Sequence, residues 1–180
     1  MAEASKQYGR RLAGIFQNRW VPANRALFDA AREGRFGRVA WAGCFTPWYR
    51  TDQYYRDGGW RGTWALDGGG AVMNQAVHSV DLLQWIAGPV RRVSAYAASR
   101  IHAEIEVEDT RTCSLQFASG AVGEFFCSYS SFRQPWSETF MLFGDDGAVH
   151  AYPQPGSYSG PAFYASRKSS PKIEKFMDMF

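Results

Sequence analysis

The 180-residue chain is poor in cysteine, in net charge and in long apolar runs. Its three cysteines, Cys44, Cys113 and Cys127, are odd in number and not at a metal-ligand spacing. That argues against a disulfide framework or a metal site, and for reduced thiols in a cytoplasmic protein. No apolar run approaches the ~18 residues of a membrane-spanning helix, and residues 1–11 are polar, without an apolar signal core. Twenty basic residues against 17 acidic ones leave a net charge of +3. This is too small and too scattered for a nucleic-acid footprint. There is no Gly-x-Gly-x-x-Gly to cradle a dinucleotide and no Gly-x-Ser-x-Gly elbow to present a serine nucleophile. What remains is a composition near the globular average, 46% apolar and 21% charged, in a length suited to one ordinary domain. Aromatics are the exception at 16%, with seven tryptophans. Either the core is rich in rings, or a face stacks on something flat such as a sugar or a cofactor ring.

The pattern along the chain predicts an α+β layer, with helices on one face of a mostly antiparallel open sheet of about six strands. Residues 12–17 (Leu-Ala-Gly-Ile-Phe-Gln) read as a short buried strand. Pro22 opens a helix that stops at Gly34, and Gly37 opens a strand through Phe45. Residues 47–70 are an irregular, aromatic loop, long enough to suggest function. Residues 71–87 form the clearest helix, apolar nearly all round and stopped by Gly88-Pro89. Beyond Val90 the period becomes two, and strands flank turns at 118–120 and 144–147. On one of these strands Cys113, Leu115 and Phe117 share a face opposite Thr112, Ser114 and Gln116. Residues 153–180 hold four prolines and many serines and read as a loosely ordered tail, with an amphipathic piece at 173–179.

One constellation is chemically rich. Gly68-Gly69-Gly70 precedes the buried helix, on which Asn74, His78, Asp81 and Trp85 follow at spacings of four, three and four. At ~100° per residue these fall on one stripe. A histidine with a carboxylate three residues on can give or take a proton at neutral pH. The glycines would let a ligand approach, and the helix N-terminus favours an anion. The plainer reading makes His78 a satisfied core group, Asp81 the partner of an arginine, Trp85 core and the glycines a tight turn. Glu104, Glu106, Glu108 and Asp109 read as a solvated acidic loop.

Taken together, Trp60-Arg61-Gly62-Thr63-Trp64, Gly68-Gly69-Gly70-Ala71 and Asn74-x-x-x-His78-x-x-Asp81-x-x-x-Trp85 resemble the C-terminal domain of the glucose–fructose oxidoreductase/inositol dehydrogenase/MocA family. The resemblance runs from about Leu12 to about Tyr152. It implies a sheet domain like the C-terminal domain of glyceraldehyde-3-phosphate dehydrogenase. It assigns residues 1–19 to the end of a dinucleotide-binding domain, 20–152 to the substrate and oligomerisation domain, and 153–180 to a divergent tail. The implied activity is an oxidoreductase acting on CH–OH groups, moving hydride between NAD or NADP and a sugar or polyol. His78 would be the proton donor or acceptor, helped by Asn74 and Asp81, with Trp60 and Arg61 against the nicotinamide end of the cofactor. A homo-oligomer through the open sheet face is implied, without nucleic acid, membrane or metal. The sequence departs from the family in having Asn74 where aspartate is common. It also lacks the Glu-Lys-Pro tripeptide with its catalytic lysine. The isolated chain is therefore expected to be inactive. The rival reading is a non-enzymatic domain that oligomerises or binds carbohydrate through its aromatic loop.

Overall fold

The computed structural model describes residues 1–131, 138–153 and 161–166. The chain opens on a short helix, α1 (Ala2–Gln7), and a turn of 3-10 helix (Gln17–Trp20) leads into α2 (Pro22–Arg32). Pro22 sits in the first turn of α2, where its missing N–H has no partner to lose. Then come β1 (Val39–Pro47), α3 (Asp52–Arg56), a π turn (Val72–Ala76) and α4 (Val77–Ala87). Gly88 at φ 96° ends α4 in a backbone region that side chains avoid, and Pro89 prevents its continuation. The remaining strands are β2 (Val90–Ala98), β3 (Thr110–Phe117), β4 (Val122–Ser128), β5 (Thr139–Gly144), β6 (Ala148–Pro153) and β7 (Pro161–Ser166).

The strands form one sheet in the order β2-β3-β4-β1-β5-β6-β7. This corrects the expectation of a mostly antiparallel sheet of about six strands. The described residues give seven strands, and the sheet is mixed because β1 lies parallel to β4, pairing Trp41 with Val122 and Cys44 with Phe125. Hairpin turns announce antiparallel neighbours, whereas a parallel pair joined by a crossover of some 70 residues leaves no local signal. The sheet also continues past the expected boundary at residue 152, since β7 pairs with β6. The amphipathic piece at 173–179 lies outside the described residues. A second correction concerns residues 12–17. Residues 11–16 have no regular structure, and Leu12 and Ile15 are exposed. An apolar run becomes a strand only beside another strand, and among the described residues none pairs with it.

The inner face of the sheet is buried under α2 and α4. Leu115, Phe117, Phe125, Ala42, Leu142 and Val149 meet Leu27 and Ala30 of α2 and Leu83 and Ile86 of α4. All three cysteines are free and buried on this face. Burial pushes the Cys44 thiol well up and the Cys127 thiol to about 12, which makes them inert packing groups. Among the described residues the outer face carries no helix. Trp41 stacks on Phe143 with ring centres 5.2 Å apart, and Phe45 lies 6.4 Å from Phe126. No helix among the described residues is long and apolar enough to cross a membrane.

Candidate functional site

The site is built around the helix made by the π turn and α4. A π turn holds an extra residue, so the constant 100° step behind the expected stripe does not apply across it. The helix therefore divides its polar residues between two surroundings. Asn74 faces the aromatic loop, while His78, Asp81 and Trp85 face residues 16–19 and α2.

Asn74 is fully engaged. Its Oδ1 accepts the hydroxyls of Tyr54 and Tyr129, each at 3.1 Å, and its Nδ2 donates to Asp67 Oδ1 at 3.3 Å. The ring of Tyr54 is shared by two guanidiniums, Arg50 at 4.9 Å and Arg61 at 4.3 Å. Arg61 also lies 5.1 Å from the Trp60 ring and donates to the Tyr54 carbonyl at 3.0 Å. Arg50 also lies over Trp48 and Tyr129. Neither Arg50 nor Arg61 has a carboxylate partner among the described residues, and the Nε of each is buried without a hydrogen bond. Burial raises the hydroxyls of Tyr55 and Tyr129 well above the usual tyrosine range, so both stay neutral. Trp60 remains 41% exposed, the tryptophan of this cluster open to a ligand.

No hydrogen bond or ion pair joins His78 to Asp81. The Asp81 carboxylate is taken by Arg19, in a two-point pair with Nε to Oδ2 at 2.7 Å and Nη2 to Oδ1 at 2.5 Å. A guanidinium fork matches a carboxylate better than an imidazole three residues away. The His78 ring has one polar contact among the described residues, its Nε2 lying 3.4 Å from Gln17 Nε2. Its Nδ1 is buried without a partner. Glu138, which no sequence motif singles out, lies behind this helix. Its carboxyl accepts the Ser79 hydroxyl, which is bonded in turn to Thr46 Oγ1 at 2.8 Å. Burial raises the Glu138 carboxyl, against the Ser79 hydrogen bond and the electrostatic influence of the nearby His78 ring. Sixty residues separate it from His78 along the chain, too far for a local pattern to link them.

The glycines and the acidic run turn out to serve each other. Glu108 caps the helix start, accepting N–H from Gly70 at 3.2 Å and Val72 at 3.4 Å, while its own carbonyl accepts from Ala71 at 2.9 Å. The helix N-terminus is thus already occupied by a carboxylate of this chain. Asp109 is fully buried and accepts the backbone N–H groups of Arg100, Ile101 and His102. Burial alone would raise its carboxyl, but these bonds and the Thr110 hydroxyl hold it below the usual carboxylate range. His102, also buried, spends both nitrogens, on Asp109 Oδ2 at 3.3 Å and on the Arg50 carbonyl at 2.8 Å. The acidic run is therefore only partly the solvated loop expected of it. Among the described residues no group of three His, Cys, Asp or Glu side chains is placed to hold a metal.

Comparison with known proteins places this architecture. A profile of the GFO/IDH/MocA C-terminal domain matches residues 24–150. A 1,5-anhydro-D-fructose reductase of Ensifer adhaerens is 29% identical over 152 residues, covering 83% of this chain and 44% of the reductase. The WlbA dehydrogenase of Chromobacterium violaceum, solved with NADH and UDP-GlcNAcA, superposes with a TM-score of 0.85 at 32% identity. The match covers 99% of this chain and 50% of WlbA. An aldose-aldose oxidoreductase of Caulobacter crescentus gives a TM-score of 0.76 at 25% identity, over 94% of this chain and 51% of that one. The chain spans about half the length of these relatives. With the matched profile covering most of the chain, from α2 to β6, the protein belongs to the GFO/IDH/MocA family through its C-terminal domain.

Proposed function

We propose that this domain forms the substrate-side wall of an NAD(P)-dependent oxidoreductase acting on the CH–OH group of a sugar, with His78 as the proton donor or acceptor. The observation that carries this is the contrast between two histidines. His102 shows what a structural histidine looks like here, buried with both nitrogens bonded. His78 has a buried nitrogen with no partner and a second with one long contact. Asn74 and Asp81 support the helix that carries it, through the tyrosine network and Arg19.

The residues present fit one end of a nicotinamide cofactor. Trp60 offers an exposed ring and Arg61 a cation stacked on it, while these 180 residues contain no phosphate-binding glycine fingerprint. A bound nicotinamide would accept the hydride from a CH–OH group or return it in the reverse reaction; this chain's part is to orient the sugar and move the proton. Arg50 and Arg61, without carboxylate partners among the described residues, favour a sugar that carries an anionic group. The UDP-GlcNAcA bound by WlbA, 32% identical, supports that class.

Two measurements test this reading. Titration of the 180-residue chain with NADH, followed by fluorescence, is expected to show no saturable binding at micromolar cofactor. Activity is expected only when a dinucleotide-binding domain is supplied. Tight binding to the chain alone would mean that the cofactor site is misplaced. The open sheet face is the proposed homo-oligomer contact, since Trp41, Phe45, Phe126 and Phe143 form an apolar surface without a covering layer among the described residues. Sedimentation velocity is expected to show an oligomer that the double variant Phe126→Lys, Phe143→Lys converts to monomer. A monomeric parent chain would rule this contact out.

A further inference from the structure

We propose that Asp81 is a positioning residue for His78, acting through a clamp on Arg19 that delivers the Gln17 amide to the imidazole. The proposal rests on His78 being the proton-transferring group, and it assigns Asp81 a different task from direct contact with that histidine.

Residues 11–16 have no regular structure, so their own backbone does not set the position of the 3-10 turn at Gln17–Trp20. Asn24 Nδ2 ties it to α2 by donating to the Asn18 carbonyl at 2.8 Å, and Arg19 ties it to α4. The Arg19 guanidinium holds both oxygens of Asp81 and lies over two rings, Phe16 at 5.7 Å and Trp85 at 5.5 Å. Trp85 is itself stacked flat on Phe28 of α2, with ring centres 4.0 Å apart. The fork geometry of the pair fixes direction as well as distance. The clamp fixes the 3-10 turn against α4 at Asp81. In that pose Gln17 reaches His78 Nε2, and the Phe16 ring meets the imidazole edge-on at 6.4 Å.

The chemical consequence concerns which partner the imidazole has. A carboxylate at the ring favours the imidazolium, because it can only accept. A carboxamide can donate to a bare ring nitrogen or accept from a protonated one, so it serves the histidine before and after proton transfer. Arg19 thus does two things at once. It occupies the carboxylate that helical spacing would otherwise offer to His78, and it anchors the amide that replaces it.

The test is NMR on the 180-residue chain with labelled histidines, reading the His78 ring signals and the Phe16–His78 proton contact. Arg19→Gln is expected to abolish that contact and shift the His78 ring nitrogens, with the His102 signals unchanged as the mark of an intact fold. Gln17→Leu is expected to shift the His78 nitrogens while keeping the Phe16 contact. The exchanged pair, Arg19→Asp with Asp81→Arg, is expected to restore both. If Arg19→Gln unfolds the chain, Arg19→Lys keeps the charge without the fork and is expected to weaken the contact. An unchanged His78 in Arg19→Gln or, where that variant unfolds, in Arg19→Lys overturns the proposal. The readout is the ring and not turnover. Normal activity without His78 would therefore sink the functional reading and leave the clamp standing.

Discussion

Replacing His78 by alanine is expected to lower turnover by about 10²–10⁴-fold in an enzyme completed with its dinucleotide-binding domain, the usual contribution of a positioned general acid or base. The reasoning is that hydride transfer to or from a carbon–oxygen bond leaves a charge on oxygen unless a proton moves with it. His78 has a ring nitrogen without a hydrogen-bond partner, and its ring meets Gln17 and Phe16. A more discriminating variant is His78→Gln. It keeps a hydrogen-bonding side chain beside Gln17 and cannot carry a proton at neutral pH, so a comparable loss is expected with the fold intact. The measurement is kcat and kcat/KM across pH. A variant with near-normal turnover would make His78 a packing residue and remove the main support for the catalytic reading.

The second large effect is on stability. Gly70→Ala is expected to cost about 3 kcal/mol or more, at the upper end of what overpacking does, because no rotamer choice can relieve it. A Cβ at Gly70 would lie 1.9 Å from the Glu108 carbonyl oxygen and 2.8 Å from its Cδ. That carbonyl accepts the Ala71 N–H, and the carboxylate caps the helix start. Making room would break the junction between the segment before β3 and the helix that carries His78. Urea unfolding measures the loss. Had the glycines been an approach for a ligand, the same variant would keep its stability and lose only binding. A stable Gly70→Ala chain would restore that reading.

The two residues differ in how legible they were. His78 announced itself by its place among Trp60-Arg61, the three glycines and Asp81. Gly70 was equally visible, but its neighbour Glu108 lies 38 residues on, in what looked like a solvated acidic loop. The same holds for Glu138 behind His78 and for Arg19 on Asp81. Helical spacing suggested that Asp81 serves His78, and only the arrival of another segment shows that it serves Arg19. The aromatic excess had two readings, core or ligand platform. The structure adds a third, since Trp48, Tyr54, Trp60 and Phe16 lie against this chain's own arginines.

What the amino-acid sequence determined by itself is local. Proline in the first turn of α2, Gly88-Pro89 after α4 and Gly120 at φ 92° between β3 and β4 fix helix ends and a hairpin through backbone sterics, whatever lies around them. The alternation of Cys113, Leu115 and Phe117 with Thr112, Ser114 and Gln116 fixes which face of β3 is buried. The tertiary structure decided the rest. It set β1 beside β4, left residues 11–16 without a sheet, filled the helix N-terminus with Glu108, and gave Asp81 to Arg19. Each of these is a contest among groups far apart in the chain. Contacts between distant segments depend on which of several charged or apolar partners arrives in the right geometry, and the pattern of either segment alone does not record the winner.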